Sequence, residues 1–287
     1  MEPKKIRING ADSITLNVLE WSEEGVPIIL LHGFSNESRI WDDLIPGIAQ
    51  HYRVLALDQR GHGESDWHPE AAYDYDDFVA DLEAMVEGLG IDRFVLIGHS
   101  LGGRVAMLYG GRHPEKLAGL VIVDSAPELD ARGTTRISLD TAANPDPTFA
   151  SVAEYERIMA HAYPAATPAS IKRMAIHGVK PTENGRYMLR MDTAFRSAIA
   201  GADAEAIAAR QDANEKELWR SLGKILCPTL VVRGAASDVV SADIADRMVE
   251  DALKNGQLAV VPQAGHSVMT DNPEHFNIAV ENFVLGS

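Results

Sequence analysis

Residues 94–103 read Phe94-Val95-Leu96-Ile97-Gly98-His99-Ser100-Leu101-Gly102-Gly103. An apolar, β-branched run leads in, and a stretch over residues 104–112 with helical character leads out. This pattern predicts a strand, a tight turn and a helix with one serine at the apex. A strand-to-helix turn this sharp holds its apex residue in a strained backbone conformation. Only small neighbours fit around it, which accounts for Gly98 and Gly102. The strain lifts the hydroxyl out of the sheet and sets it at a helix N-terminus, where developing negative charge is favoured. Ser100 is therefore the candidate nucleophile. The bland alternative is a glycine-rich turn that merely packs a helix on a strand.

Outward from this turn the chain alternates short apolar runs with helical patterns, the rhythm of βαβ units and a mainly parallel sheet. Residues 6–8 and 14–19 read as an opening antiparallel pair. Residues 26–31, 54–57, 94–97 and 117–123 read as buried strands, continuous in apolar character as doubly covered parallel strands are. Residues 40–50 read as a helix. Phe78, Leu82, Met85, Val86 and Leu89 share one helical face, and Gly90 stops that helix. The rhythm breaks over residues 127–218, where no convincing buried strand is found and helices are expected near 152–162, 168–176, 187–199 and 204–222. It resumes with a strand at 228–232, a helix at 242–253, a strand at 258–261 and a terminal helix at 274–285. The predicted architecture is an α/β core, residues 1–126 and 219–287, carrying a helical lid, residues 127–218.

Bulk composition narrows the function classes. The net charge is −16, from 26 basic against 42 acidic residues, which disfavours nucleic acid and anionic membrane as partners. Hydrophobic content of 46% with 24% charged residues is that of a soluble globular chain. Cys227 is the single cysteine, so neither an intrachain disulfide nor a cysteine metal cluster is expected, and its place at a strand entry suits a core filler. The N-terminus lacks the apolar core of a signal peptide, and no run of about 18 apolar residues occurs. A cytoplasmic enzyme without metal or other cofactor is the expectation, its oligomeric state unassigned.

A serine hydroxyl is a poor nucleophile at neutral pH. It needs a base, the base needs an orienting acid, and the oxyanion formed on attack needs donors. Open α/β sheets place such groups at the C-terminal ends of strands. His266, in Gln263-Ala264-Gly265-His266-Ser267, follows the strand ending near Val261 and is the candidate base. Asp238 is the first carboxylate after the strand at 228–232 and is the candidate acid. Its competitor is Asp124, which ends the preceding strand and otherwise reads as a cap of the next turn. For the oxyanion, Leu31-His32-Gly33-Phe34 ends a buried strand, so the Phe34 amide can point inward, and the Leu101 amide is the natural second donor. His32 and His99 beside the site, and Met159, Tyr163, Met188 and Met191 in the insertion, are candidates for substrate contacts. At helical spacing the same apolar residues also serve as packing within the insertion.

These residues together resemble the α/β-hydrolase superfamily along nearly the whole chain. The likeness rests on His32-Gly33-Phe34, on Asp58-Gln59-Arg60-Gly61-His62-Gly63-Glu64-Ser65, on the turn at Ser100, and on Asp238 and His266 in the order Ser, Asp, His. It implies a mostly parallel eight-stranded sheet flanked by helices, a helical cap over residues 127–218, and a structural role for the loop 58–65. Relatives with aspartate at the turn, the haloalkane dehalogenases and epoxide hydrolases, are set aside by Ser100. Cofactor-free haloperoxidase or perhydrolase relatives usually carry Ser-Met-Gly-Gly and a Trp or Tyr after His-Gly, against Ser100-Leu101-Gly102-Gly103 and Phe34 here. The resemblance implies a serine carboxylesterase acting on a small ester through an acyl-enzyme. A lactonase or carbon–carbon bond hydrolase on the same triad, and a small-molecule receptor, are the alternatives.

Overall fold

The computed structural model describes residues 2–143, 148–195 and 204–286, with side chains described outside residues 140–143 and Ala204. Eight strands build the main sheet: β1 (Lys4–Asn9), β2 (Thr15–Glu20), β3 (Val26–Leu31), β4 (Tyr52–Asp58), β5 (Phe94–His99), β6 (Leu117–Val123), β10 (Thr229–Gly234) and β11 (Gly256–Val261). Their order is β1-β2-β4-β3-β5-β6-β10-β11. β1 pairs β2, and β2 pairs β4, antiparallel; every other pairing in this sheet is parallel. The expected fold class is thus the one observed.

The side-chain alternation of the strands divides the core. Ile29, Leu31, Leu55, Leu57, Leu96 and Ile122 pack on one face with the helices Tyr75–Gly88 and Leu101–Arg112. Ile28, Leu30, Val54, Ala56, Ile97 and Val123 pack on the other, against the terminal helix Pro273–Leu285. Both faces are covered, which is why these strands read as unbroken apolar runs. Every residue of β5 is buried. Cys227 lies in the first cluster, where burial raises its thiol pKa, as suits a core filler. Gly90, at φ +63°, terminates the Tyr75–Gly88 helix in the left-handed region that favours glycine. Among the described residues no helix is long and apolar enough to cross a membrane.

Two expectations from local pattern are corrected. Residues 40–50 do not form one helix. A 3-10 turn, Ser38–Trp41, is followed by the short helix Ile45–Ile48, with Pro46 in its first turn. A proline lacks the amide to continue a preceding turn and is well placed to begin a new one. The segment between β6 and β10 also contains strands: β7 (Thr148–Phe149), β8 (Val179–Pro181) and β9 (Tyr187–Leu189), paired antiparallel in the order β7-β9-β8. A strand of two or three residues is too short to display a period of two. β9 replaces the start of the helix expected at 187–199, the end of which lies outside the described residues, as does the punctuation at 144–147. Among the described residues the helices of this segment are Ala131–Ala143, Val152–Ala162, Pro168–Gly178 and Ala204–Leu222.

Candidate active site

Ser100 stands between β5 and the Leu101–Arg112 helix at φ 52°, ψ −113°. A non-glycine residue at positive φ is strained, and surrounding structure must enforce it. The enforcement here is a close approach of backbones. A Cβ on Gly98 would lie 2.2 Å from the Gly102 carbonyl, and one on Gly102 would lie 2.4 Å from the Leu31 carbonyl. The Ser100 amide donates to Val123 O at 3.1 Å, and the Ser125 hydroxyl donates to Ser100 O at 2.7 Å. The turn is thereby clamped between β3 and β6.

Ser100 Oγ lies 3.0 Å from His266 Nε2. The other ring nitrogen, Nδ1, lies 2.8 Å from Asp124 Oδ2. A carboxylate can only accept, so Nδ1 carries the proton, and Nε2 is left as the acceptor facing the serine hydroxyl. His266 is held from behind as well. His99 Nε2 donates to the His266 carbonyl at 2.9 Å, and Gly265 N donates to Asp271 Oδ2 at 2.8 Å. The strand order explains the meeting of these distant residues: Ser100 follows β5, Asp124 follows the adjacent β6, and His266 lies on the loop after β11.

The acid expected from sequence, Asp238, is not the carboxylate on the histidine. Its two oxygens receive Arg136 Nε at 2.7 Å and Arg136 Nη2 at 2.9 Å, and the Arg136 guanidinium holds its carboxyl below the usual carboxylate range. The cause is the turn after β10. Ser237 N donates to Gly234 O at 3.0 Å, and Ser237 faces inward, so its neighbour Asp238 faces the Ala131–Ala143 helix. Asp124 is 1% exposed and sits at φ 42°, a second strained residue beside Ser100. Gly234 N and Ser237 Oγ donate to its Oδ1 and Oδ2 at 3.0 and 2.7 Å. One feature of the sequence favours Asp124 without deciding between the two. Asp124 directly follows its strand, whereas Asp238 stands four residues past the end of β10.

Gly33 backs directly onto Ser100: a Cβ there would lie 2.6 Å from His99 Nδ1 and 3.1 Å from Ser100 Cβ. Gly102 N donates to His32 O at 3.2 Å, tying the loop after β3 to the start of the Leu101–Arg112 helix. Among the described residues, neither the Phe34 nor the Leu101 amide has a hydrogen-bond acceptor. Phe34 lies on that loop, and Leu101 opens that helix.

His32 and His99, expected as substrate contacts, are instead buried supports. His32 accepts Gln59 N on Nε2 at 3.0 Å, so its Nδ1 carries the proton and donates to Gly33 O at 2.8 Å. Burial pushes its pKa down to about 4, and that of His99 to about 3, so both rings are neutral at pH 7. His32, held between backbone groups on both nitrogens, has no edge for a ligand, and His99 is 2% exposed with its Nε2 on the His266 carbonyl. The insertion residues divide. Met191 is buried in a cluster with Phe149 and Tyr155 against which Phe34, Met159 and Phe195 pack. Tyr163 packs with Met159 against the core cluster holding Trp41 and Met174. Met188 lies half-buried on β9. Phe195 makes an edge-to-face contact with Phe34 at 5.7 Å and stacks on Tyr73 at 3.8 Å.

Comparison with known proteins identifies the family. A family model described as the alpha/beta hydrolase fold matches residues 26–273. The chain is 27% identical over 274 residues to the 2-(acetamidomethylene)succinate hydrolase of Mesorhizobium japonicum, covering 94% of this chain and 92% of the relative. It is 25% identical over 265 residues to the esterase Rv0045c of Mycobacterium tuberculosis, covering 90% and 82%. A crystal structure of E-2-(acetamidomethylene)succinate hydrolase superposes with a TM-score of 0.81 at 26% identity, over 98% of this chain and 99% of that one. The chain belongs to the α/β-hydrolase family, and it is an enzyme, a hydrolase.

Proposed function

We propose that the chain is a serine carboxylesterase whose catalytic residues are Ser100, His266 and Asp124. The observation that carries the reading is the hydrogen-bonded line from Ser100 Oγ through His266 to Asp124, with contacts of 3.0 and 2.8 Å. In this mechanism Ser100 Oγ attacks the ester carbonyl carbon while His266 Nε2 takes the hydroxyl proton. Asp124 holds the imidazolium so formed. The carbonyl oxygen becomes an oxyanion between the Phe34 and Leu101 amides. Each such donor is worth about 3 kcal/mol of transition-state stabilisation. The tetrahedral intermediate collapses, His266 returns the proton to the leaving alkoxide, and an alcohol departs. Water then attacks the acyl-enzyme, its proton passing to His266 and on to Ser100 as the acid is released.

Residues 127–218 act in this reading as a lid over the serine, and they select the substrate. The side chains packed around Phe34 are aromatic and apolar: Phe195 meets its ring edge-to-face, and the buried Met191, Tyr155 and Phe149 form the cluster it packs against. These side chains suit an uncharged, apolar acyl or aryl group of a small ester. The named esterase among the relatives supports the same class. The test is hydrolysis of p-nitrophenyl acetate and butyrate by the wild type and by Ser100→Ala. An initial burst of p-nitrophenol stoichiometric with enzyme marks slow deacylation, and Ser100→Ala abolishes it. Full activity in Ser100→Ala refutes the mechanism.

A further inference from the structure

Ser237 lies on the turn after β10 and is 5% exposed. Its hydroxyl oxygen accepts two backbone amides, Val239 N at 3.2 Å and Val240 N at 3.1 Å. With its lone pairs so engaged, its proton is directed along the remaining contact, to Asp124 Oδ2 at 2.7 Å. That is the same carboxylate oxygen that faces His266 Nδ1 at 2.8 Å. The other oxygen receives Gly234 N at 3.0 Å. The carboxylate is thus gripped by a rigid strand amide on one side and a polarised hydroxyl on the other.

We infer that Ser237 is a positioning residue for the hydrolytic reaction, acting on His266 through Asp124. This rests on the Ser100–His266–Asp124 reading. Its hydroxyl does two things. It fixes the carboxylate rotamer so that Oδ2 meets the imidazole edge. It also draws off part of the negative charge on that oxygen, which sets how firmly Asp124 holds a protonated His266 and hence the pH above which the base is free to act. The amides of Val239 and Val240 keep the proton aimed even when the imidazole is neutral. Asp238, the carboxylate next in sequence, is engaged by Arg136, so the two neighbours divide the turn into an inward hydroxyl and an outward acid.

The other ionisable groups facing His266 come from three elements. Asp238 on the same turn interacts with it electrostatically, Asp271 does so from the helix Val268–Asp271, and His99 does so from β5. Asp238 has its own cation, Asp271 takes the Gly265 amide, and His99 is a buried neutral donor to the His266 carbonyl. None of them touches Ser237 Oγ, so its removal leaves them in place.

The experiment measures kcat and KM for p-nitrophenyl acetate from about pH 5 to about pH 9 with Ser237→Ala and Ser237→Cys. Losing one hydrogen bond to a charged group lowers kcat about tenfold, with KM changed less than about twofold. The acidic limb of the kcat/KM profile moves to higher pH, because Asp124 then holds the protonated imidazole more firmly. Ser237→Cys keeps the size and a weaker donor, so its limb moves the same way by less. It serves as the decisive variant if Ser237→Ala does not fold. A drop in kcat with an unmoved limb makes Ser237 merely structural and overturns the proposal, as does wild-type behaviour. Asp124→Asn in the same assay separates the two levels: near wild-type activity there overturns the catalytic reading itself.

Discussion

Replacing Asp124 by asparagine is the sharpest test of which carboxylate serves His266. Asparagine has one oxygen where aspartate has two, and two donors converge on the carboxylate besides the histidine. Gly234 N belongs to β10, can only donate and cannot turn away, at 3.0 Å, so an amide nitrogen cannot face it. The asparagine oxygen therefore stays with Gly234, and its amide NH2 faces His266 Nδ1. That donor forces the imidazole proton onto Nε2, the nitrogen 3.0 Å from Ser100 Oγ, where it cannot accept the serine proton. A wrong tautomer with intact geometry costs about 10⁴ in kcat in enzymes of this mechanism. Stability falls by about 1–3 kcal/mol, from a lost buried hydrogen bond to a charged group. Asp238→Asn removes only a partly exposed pair with Arg136, with side chains 32% and 44% accessible. Such a pair is worth about 0–1 kcal/mol, so kcat stays within about twofold. The assay is steady-state hydrolysis of a chromogenic ester, with circular dichroism to confirm folding. An inactive Asp238→Asn beside an Asp124→Asn that keeps about a tenth or more of wild-type kcat would refute the assignment.

Gly33→Ala sets a Cβ 2.6 Å from His99 Nδ1 and 3.1 Å from Ser100 Cβ, so the loop must retreat and carry the Phe34 amide with it. The expected loss is about 10² in kcat with little change in KM, and an unchanged kcat removes Phe34 from the oxyanion site. The buried histidines make the fold acid-labile. His32, His62 and His99 are depressed from 6.5 to about 4, about 3 and about 3, chiefly by burial. Below pH 6.5 the unfolded chain takes up protons that these sites refuse, so stability falls as pH drops toward 4, by up to about 3 kcal/mol for each site. A urea midpoint unchanged between about pH 7 and about pH 5 contradicts this. Glu37 acts in the opposite sense: burial, then Asp58, raises its pKa from 4.5 to about 8, so the native state keeps a proton that the unfolded state loses. Stability therefore declines as pH rises from 4.5 to 8 on this group's account, and Glu37→Gln, comparing urea midpoints across that range, is expected to flatten the decline.

The fold was legible because its signals are local. A doubly covered parallel strand must be apolar throughout, and β3, β5 and β6 show that in any window. Gly98 and Gly102 mark the turn at Ser100 because backbones approach there to distances no Cβ tolerates. The helix at 40–50 failed because Pro46 allows an amphipathic pattern to persist across two separate turns. The small sheet of β7, β8 and β9 was invisible because its strands are shorter than the period that would reveal them.

What the amino-acid sequence determined by itself was the α/β architecture and the candidate nucleophile and base. Each of these rests on residues adjacent in the chain: glycines beside Ser100, and a strand end before His266. Which carboxylate meets His266 was decided by tertiary structure. β6 and β10 lie side by side with Val123 opposite Val232, so Asp124 and the 237–238 turn converge on the same space from segments more than a hundred residues apart. Which carboxylate reaches His266 then depends on the direction each side chain takes from its turn. The strained φ of Asp124 and the inward hydroxyl of Ser237 set that direction, and both are enforced by packing that only the folded chain possesses.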